Sequence, residues 1–216
     1  MKGDVIVVEE NHRDAAGAVV PVLLSLLDTS EKKIVITVAG ESGSGKSETA
    51  TAISEILNSN GIPSLILQQD DYFHLPPKSN HNERLQHIEK VGPDEVNLDL
   101  LNSHIHQFHK GSANIQKPLV DYEQNTILQE TIDVDGIAAL IVEGTYTSLL
   151  EGVDRRIFIN RDFEQTLQHR VKRNRSSSEL DGFISDVLMI EHKIIAAHRE
   201  RADIIINDDF SVDTKL

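Results

Sequence analysis

A glycine-rich segment at residues 40–47 limits the folds available to this chain more than any other part of the sequence. The segment reads Gly40-Glu41-Ser42-Gly43-Ser44-Gly45-Lys46-Ser47. It matches the P-loop pattern G-x-x-x-x-G-K-[ST] and lies between an apolar, β-branched run at residues 34–39 and an amphipathic helical pattern that Gly61 and Pro63 end. A strand, a loop and a helix in this order predict a phosphate-binding unit. The alternative is a glycine-rich turn that binds nothing.

Each fixed position of the segment has a chemical task. Glycines allow backbone angles that side chains disfavour, so successive N–H groups can turn inward around an anion, and the helix dipole adds positive charge. Lys46 would reach the β- and γ-phosphates of a nucleotide, and the Ser47 hydroxyl would bind Mg²⁺. We therefore expect residues 40–47 to bind the nucleotide.

Composition narrows the class of protein. A length of 216 residues predicts a single domain. The net charge of -14 argues against a nucleic-acid surface, because phosphate backbones are bound through Lys and Arg. We expect no membrane contact, since the longest apolar stretches fall short of a spanning helix and Met1-Lys2-Gly3-Asp4 does not resemble a signal peptide. The absence of cysteine favours a cytoplasmic location. A homo-oligomer is compatible with the sequence.

Two segments lie outside the alternation of strands and helices. Residues 1–30 read as an added N-terminal layer, with a strand at 4–8 and a helix at 15–27. Residues 74–135 are polar and proline-containing, and we interpret them as an acceptor-binding insertion. It should contain a helix over 98–108 and a hairpin within 118–131 that turns near Gln124-Asn125. We expect the histidines of that helix to lie at the surface or beside the core and not to bind a metal, because no further ligand occurs at a recognised spacing.

Carboxylates follow two predicted buried strands. Asp70 and Asp71 come after the strand at 65–67, and Glu143 ends the strand at 138–143. Ligands of open α/β sheets bind at the carboxyl ends of strands, so one aspartate could accept a proton from an attacking hydroxyl or bind Mg²⁺ through water. Glu143 could hold Mg²⁺ opposite Ser47. The alternatives are an Asx turn or helix cap for either aspartate and an ordinary polar strand end for Glu143.

A basic region lies further along the acidic chain. Between Arg155 and Arg175 there are seven Lys and Arg residues and two acids. We expect a strand at 157–159, a helix that carries Arg170 and Arg173, and a hinge from Arg175 onward. Residues 170–180 would then form a lid that closes over phosphates, whereas the simpler reading is a solvated helix face. A helix at 180–197 and a strand at 204–206 complete the predicted sheet.

Taken together, these motifs resemble a known family of kinases. The matching segments, in order, are GESGSGKS, QDDYF, Gly92-Pro93-Asp94, KPLVDY, VEG, HRVKRN and ADIIIN. Over residues 33–207 the chain resembles the uridine kinase and phosphoribulokinase group of P-loop kinases. The resemblance implies an α/β P-loop NTPase fold, with a mostly parallel sheet, helices on both faces, an acceptor-binding insertion and a helical lid.

The resemblance also assigns roles to individual residues. It makes Asp70, which follows Gln69, the general base, and Glu143 the acid linked to Mg²⁺. It makes Arg170 and Arg173 lid arginines, with His169 in place of the first arginine of the motif. The family's further lid arginine corresponds to Ser178, and Arg175 is the candidate substitute.

Departures from the family pattern fall on the acceptor side. Uridine kinases carry an Asp where this chain has Val91, and a His and an Arg where it has Asn125 and Ile127. A site that loses hydrogen-bonding groups loses discrimination steeply, which weakens the case for uridine as the acceptor. By their position in or beside the insertion, the candidate acceptor contacts are Tyr72, Arg84, Asp94 and Asp121.

The leading interpretation is therefore an ATP- and Mg²⁺-dependent kinase of a small hydroxylated metabolite, such as a nucleoside or a sugar phosphate. A switch GTPase is the first alternative, but the sequence lacks the N-K-x-D motif that reads guanine. A regulatory P-loop module that binds nucleotide without phosphotransfer is the second alternative, because fold-level analogy does not establish catalysis.

Overall fold

The described part of the chain alternates strands and helices. The computed structural model describes residue 2 and residues 5–27, 33–162 and 182–215. Its helices are α1 (Glu10–Leu27), α2 (Lys46–Ser59), α3 (Pro77–Gln86), α4 (Leu98–His109) and α5 (Gly182–Ile195). Its strands are β1 (Ile34–Gly40), β2 (Ser64–Gln68), β3 (Asn114–Asp121), β4 (Thr126–Asp133), β5 (Ala139–Glu143), β6 (Arg155–Ile159), β7 (Ile204–Ile206) and β8 (Val212–Thr214).

Six strands form one sheet in the order β2-β5-β1-β6-β7-β8. The first five are parallel, and β8 pairs antiparallel with β7 at the edge. Every residue of β1 is buried, as expected for a parallel strand that is covered on both faces. The predicted α/β fold with a mostly parallel sheet is confirmed.

Helices cover both faces of this sheet. On one face, α1 and α2 pack against alternate strand residues, so Ile36 of β1 shares a core with Ile53 of α2. On the other face, Val35 of β1 shares a second core with Phe108 of α4 and Ile195 of α5. Successive strand residues point to opposite faces, which explains why the neighbours Val35 and Ile36 belong to different cores.

The segment at 74–135 contains both predicted elements. The helix α4 and the hairpin of β3 and β4 are confirmed, and Asn125 occupies the hairpin turn at a φ of 51°. Asn is among the residues with side chains that adopt this left-handed conformation most readily. The helix α4 buries Leu101, Ile105 and Phe108 in the second core, so this helix is part of the main fold.

The N-terminal segment differs from the sequence prediction. Residues 5–8 lie outside any strand, so the strand expected at 4–8 is wrong for the described residues. Val5 and Val7 are exposed, and no strand among the described residues pairs with them to complete their backbone hydrogen bonds. The helix α1 begins at Glu10 and continues through Pro21, packing on α2. The short strand β8 was not predicted from the sequence. Its three residues are mostly exposed, and they form a strand by pairing with β7.

No helix within residues 5–27, 33–162 or 182–215 combines the length and the apolar character that a membrane span requires.

Candidate active site

The P-loop connects β1 to α2 through backbone conformations that favour glycine. Gly43 and Gly45 have φ values of 78° and 98°, and Gly45 directly precedes the first residue of α2. A Cβ on Gly40 would lie 2.8 Å from Ser44 Oγ and 2.9 Å from the carbonyl oxygen of Ile159, closer than side chains approach. The loop is therefore a cradle that larger residues would fill.

The two functional side chains of the P-loop make different contacts. The Lys46 ammonium donates a hydrogen bond to the carbonyl oxygen of Glu41 across the loop, at 2.8 Å. The Ser47 hydroxyl donates to Glu143 Oε1 at 3.0 Å. The carboxylate of Glu41 contacts Nδ1 of His192 in α5 at 2.6 Å, so the last long helix reaches the edge of the P-loop.

Sheet register brings the remaining carboxylates to the same place. Glu143 at the end of β5 pairs with Val38 of β1 on one side and with Gln68 of β2 on the other. Asp70 follows Gln68 by two residues, in a short 3₁₀ helix. Three adjacent strand ends therefore carry the P-loop, Glu143 and Asp70, as expected for the ligand edge of an open α/β sheet.

Glu143 is buried within a group of charges. Its burial, followed by the negative charge of Asp70, raises its pKa from 4.5 to about 7, and the charge of Lys46 and the bond from Ser47 oppose this rise. Burial has removed the water that would stabilise the charged carboxylate, so a cation that binds beside it stabilises the charged form instead. The electrostatics of the strand end therefore favour cation binding.

These residues fit Mg²⁺ and a nucleotide phosphate. The Ser47 hydroxyl and the Glu143 carboxylate place two hard oxygen donors 3.0 Å apart beside the glycine cradle. No group of three or more His, Asp or Glu side chains suited to a metal occurs among the described residues. Mg²⁺ in phosphate sites commonly takes only one or two protein oxygens, because water and substrate phosphates supply the rest.

The two neighbouring aspartates have different surroundings. Asp71 is buried, forms a 2.8 Å ion pair with Lys117 of β3 and accepts a hydrogen bond from the backbone N–H of Val120. It thereby fastens the hairpin to the end of β2. Asp70 is exposed and lines a cavity of about 190 Å³ together with Tyr122. Of the pair, Asp70 is the carboxylate that is accessible from a cavity.

A larger cavity of about 390 Å³ adjoins the first one. Both are lined by Leu75, Asn80 and Arg84, and Asp94 lies in the larger cavity. Two of the sequence-predicted acceptor residues, Arg84 and Asp94, therefore line the larger cavity, and Arg84 also borders the cavity that contains Asp70.

The other two candidates are engaged elsewhere. Tyr72 is buried, and its hydroxyl lies 2.9 Å from Nδ1 of His104 on α4. Asp121 is buried, forms an ion pair with Lys2 at 2.8 Å and accepts a hydrogen bond from the backbone N–H of Gln124. We attribute to Tyr72 a role in packing α4 and to Asp121 a role in the hairpin turn.

The predicted lid falls outside the described residues. Arg170, Arg173 and Arg175 belong to residues 163–181, and their roles stay predictions from the sequence.

Sequence reasoning missed the buried acid of α5 that contacts Arg84. Glu191 of α5 is buried and contacts Arg84 at 3.3 Å, and its burial raises its pKa while the charges of Arg84 and Lys46 act in the opposite direction. The sequence did contain a sign of this residue. Glu191 lies between Val187 and Ile195 at four-residue spacing, so it is an acid on the apolar face of a helix. A buried acid in such a stripe requires a partner from another element.

We expect Glu143→Gln to remove a pH dependence of stability. Without Mg²⁺ and nucleotide, the folded state keeps the Glu143 proton up to about pH 7, whereas the unfolded chain releases it near pH 4.5. The free energy of unfolding should therefore fall as the pH rises from about 4.5 to 7, by up to about 3 kcal/mol from this group, and stay level above pH 7. Urea denaturation of the wild type and Glu143→Gln at several pH values measures the difference.

Glu55→Gln provides the control, because Glu55 is an exposed carboxylate of α2. Equal pH slopes in the wild type and Glu143→Gln would contradict the raised pKa.

Comparisons with known proteins show what this chain is similar to. The model of the phosphoribulokinase/uridine kinase family matches residues 35–214. A uridine kinase of Bacillus cytotoxicus is 30% identical over 191 residues, covering 82% of this chain and 86% of the relative. The bifunctional α-galactosidase/sucrose kinase of Mediterraneibacter gnavus is 31% identical over 195 residues, which cover 85% of this chain. This chain spans only 21% of the bifunctional protein.

Solved structures support the fold. A D-glycerate 3-kinase from Cryptococcus neoformans superposes with a TM-score of 0.63 at 14% identity, covering 95% of this chain and 99% of that one. A possible uridine kinase from Bacillus stearothermophilus superposes with a TM-score of 0.61 at 16% identity, covering 89% and 97%. At these identities the likeness establishes the fold alone.

Proposed function

The chain belongs to the phosphoribulokinase/uridine kinase family, and from this premise we propose that it is an ATP-dependent kinase that phosphorylates a hydroxyl group of a small, polyhydroxylated metabolite. One observation carries the proposal: the glycine cradle, Glu143 and the cavity-lining Asp70 lie at three adjacent strand ends. Relatives named for uridine and sucrose, both hydroxylated small molecules, support a hydroxylated acceptor.

The nucleotide half of the site consists of residues 40–47 and Glu143. When bound, Mg²⁺-ATP supplies the phosphoryl group and a metal charge that offsets the charge of the phosphates. The backbone N–H groups of the cradle bind phosphate oxygens, and Lys46 releases the Glu41 carbonyl to contact them. Ser47 and Glu143 provide the protein oxygens for the metal. Ser47 and Glu143 are held by the start of α2 and the end of β5, so both oxygens are in place before the metal binds.

The acceptor half is centred on Asp70. We assign to its carboxylate the role of general base, which would take the proton from the acceptor hydroxyl as the hydroxyl oxygen attacks the γ-phosphorus and ADP leaves. Asp71 helps to fix its position, because the ion pair with Lys117 and the bond from Val120 anchor the adjoining backbone. From the sequence, we assign to Arg170, Arg173 and Arg175 the role of closing over the transferred phosphate.

The direct test is ADP release from Mg²⁺-ATP with a panel of acceptors. The panel contains nucleosides, free sugars, sugar phosphates, glycerate and pantothenate. We expect at least one compound to stimulate ADP release and to gain a phosphate detectable by mass spectrometry. ATP binding without stimulation by any compound would instead favour a regulatory nucleotide-binding module.

A further inference from the structure

The candidate acceptor cleft consists of two neighbouring cavities, a smaller one lined by Asp70 and a larger one lined by residues 89–95, which share Leu75, Asn80 and Arg84. Its smaller part measures about 190 Å³ and its larger part about 390 Å³, and Arg84 borders both. An anionic acceptor such as a sugar phosphate would need a cation in this lining that is available to it. The two candidates among the described lining residues are Arg84 and Lys90.

The charge of Arg84 is already matched. Its Nε and Nη2 donate to the two carboxylate oxygens of Glu95 at 2.6 and 2.8 Å, and Nη2 also lies 3.3 Å from Glu191 Oε1. A bidentate pair of this kind uses the planar donor face that would otherwise recognise a phosphate or carboxylate ligand. The side chain of Arg84 is only 16% exposed, so the arrangement is built into the wall of the cleft.

Lys90 is paired as well. Its ammonium forms an ion pair with Glu83, which lines the same cavity. Both cations of the described lining therefore face carboxylates of the protein itself.

Acids outnumber bases in the described lining. Its five carboxylates are Asp70, Glu83, Glu89, Asp94 and Glu95. Neither Asp70 nor Asp94 forms an ion pair with a described Lys or Arg, and both are exposed. A concave site with an excess of one sign of charge focuses its potential and repels ligands of that sign.

The remaining lining suits an uncharged polyol. Phe73, Leu75, Pro77 and Tyr122 offer apolar and aromatic surface to C–H groups. Asn80, Asp70 and Asp94 offer polar oxygens to hydroxyl donors. Small-molecule sites commonly combine an apolar lining with a few placed polar groups in this way.

We propose that the acceptor carries no anionic group: it is a free sugar, a nucleoside or a similar polyol, and not a sugar phosphate, sugar acid or nucleotide. This inference rests on the proposed kinase function for the identity of the cleft as the acceptor site. The pairing of Arg84 with Glu95 and Glu191, the excess of carboxylates in the lining, and the exposed carboxylates of Asp70 and Asp94 carry it.

The test compares the binding of matched compounds to the full chain by calorimetry without ATP. The pairs are fructose and fructose 6-phosphate, panthenol and pantothenate, and uridine and uridine 3′-monophosphate. For each pair that binds, we expect the uncharged member to bind about 10-fold more tightly at low ionic strength. The preference should shrink in 1 M NaCl, because salt screens the charges of an open cleft.

Asp94→Asn should lower the ratio of the affinities for the uncharged and the anionic member about 3-fold, since it removes one exposed carboxylate from the lining. Asp99→Asn is the matched control: Asp99 is an exposed aspartate of α4 outside the cleft lining, so its substitution should leave the preference unchanged. Tighter binding of the anionic members, a preference that does not respond to salt, or binding of no compound in any pair would overturn the inference.

A kinase assay with the same pairs separates the two proposals. If an anionic acceptor is phosphorylated with a higher kcat/KM than its uncharged partner, the kinase function stands and the inference fails. If the uncharged members bind with the expected preference while none is phosphorylated and no other acceptor stimulates ADP release, the proposed phosphotransfer fails and the charge preference stands.

Discussion

Replacing Asp70 by asparagine is expected to lower kcat about 10²- to 10⁴-fold while ATP binding and folding stay intact. Asparagine keeps the shape of the side chain but cannot take the proton from an acceptor hydroxyl, and a positioned general base contributes a factor of this size. Because Asp70 is exposed to the cleft and forms no ion pair with a described Lys or Arg, its neutralisation should cost little stability. The change therefore separates chemistry from structure at this position.

Three measurements check this prediction. Steady-state ADP release with the best acceptor gives kcat, calorimetry gives the affinity for Mg²⁺-ATP, and urea denaturation gives the stability. Turnover within 3-fold of the wild type would exclude Asp70 as the base. A parallel loss of ATP affinity would instead place its main effect on the nucleotide, through the charge that it exerts on Glu143.

Replacing Lys117 by methionine is expected to destabilise the protein by about 3–5 kcal/mol. Lys117 and Asp71 form an ion pair at 2.8 Å, and their side chains are only 6% and 2% exposed. Methionine fills a similar volume but removes the ammonium group that contacts the buried Asp71 carboxylate, and the loss of one partner from a buried pair costs about this much. The lost contacts to the Pro118 carbonyl and to Glu130 should add to the effect.

Urea denaturation measures this loss, with Lys90→Met as the matched control. Lys90 also pairs with a glutamate, but the two side chains are 54% and 37% exposed, and exposed pairs contribute only about 0–1 kcal/mol. The double variant Asp71→Leu/Lys117→Met should recover much of the stability, because it removes both charges of the buried pair, and Glu130, which loses its bond to Lys117, is partly exposed to water. A loss below about 1 kcal/mol for Lys117→Met alone would show that Asp71 does not depend on this partner.

The two experiments together assign different roles to adjacent residues. We expect Asp70→Asn to change turnover and not stability, and Lys117→Met to change stability first, by releasing the hairpin of β3 and β4 from the end of β2. If Asp70→Asn changed stability and Lys117→Met changed turnover first, Asp71 would be identified as the catalytic carboxylate. The sequence alone left this alternative open.

Most of the central fold could be predicted because its signals are local. Glycines that need positive φ, β-branched runs and four-residue periodicity act within a few residues of one another. They located β1, the P-loop and α2, and they also located β2, β5, β6, β7 and the hairpin. The N-terminal run Val5 to Val8 was misread, because a strand forms only where a neighbouring strand accepts its hydrogen bonds.

The candidate site could be predicted in part. Ser47 and Glu143 were expected at one metal site from their motifs, and the structure places their side chains in contact. The acceptor candidates were chosen only by position in the insertion, and of the four, Arg84 and Asp94 line the cleft while Tyr72 and Asp121 are bonded within the protein.

By itself, the sequence determined the phosphate-binding loop, the alternation of strands and helices and the family resemblance, since each depends on neighbouring residues. Only the tertiary structure decided that Asp71 faces Lys117, that Arg84 is matched by Glu95 and Glu191, and that Asp70 opens to a cleft. These partners lie between 11 and 107 residues apart in the chain. Whether a charge is paired within the protein or available to a ligand depends on such long-range contacts, and no local pattern encodes them.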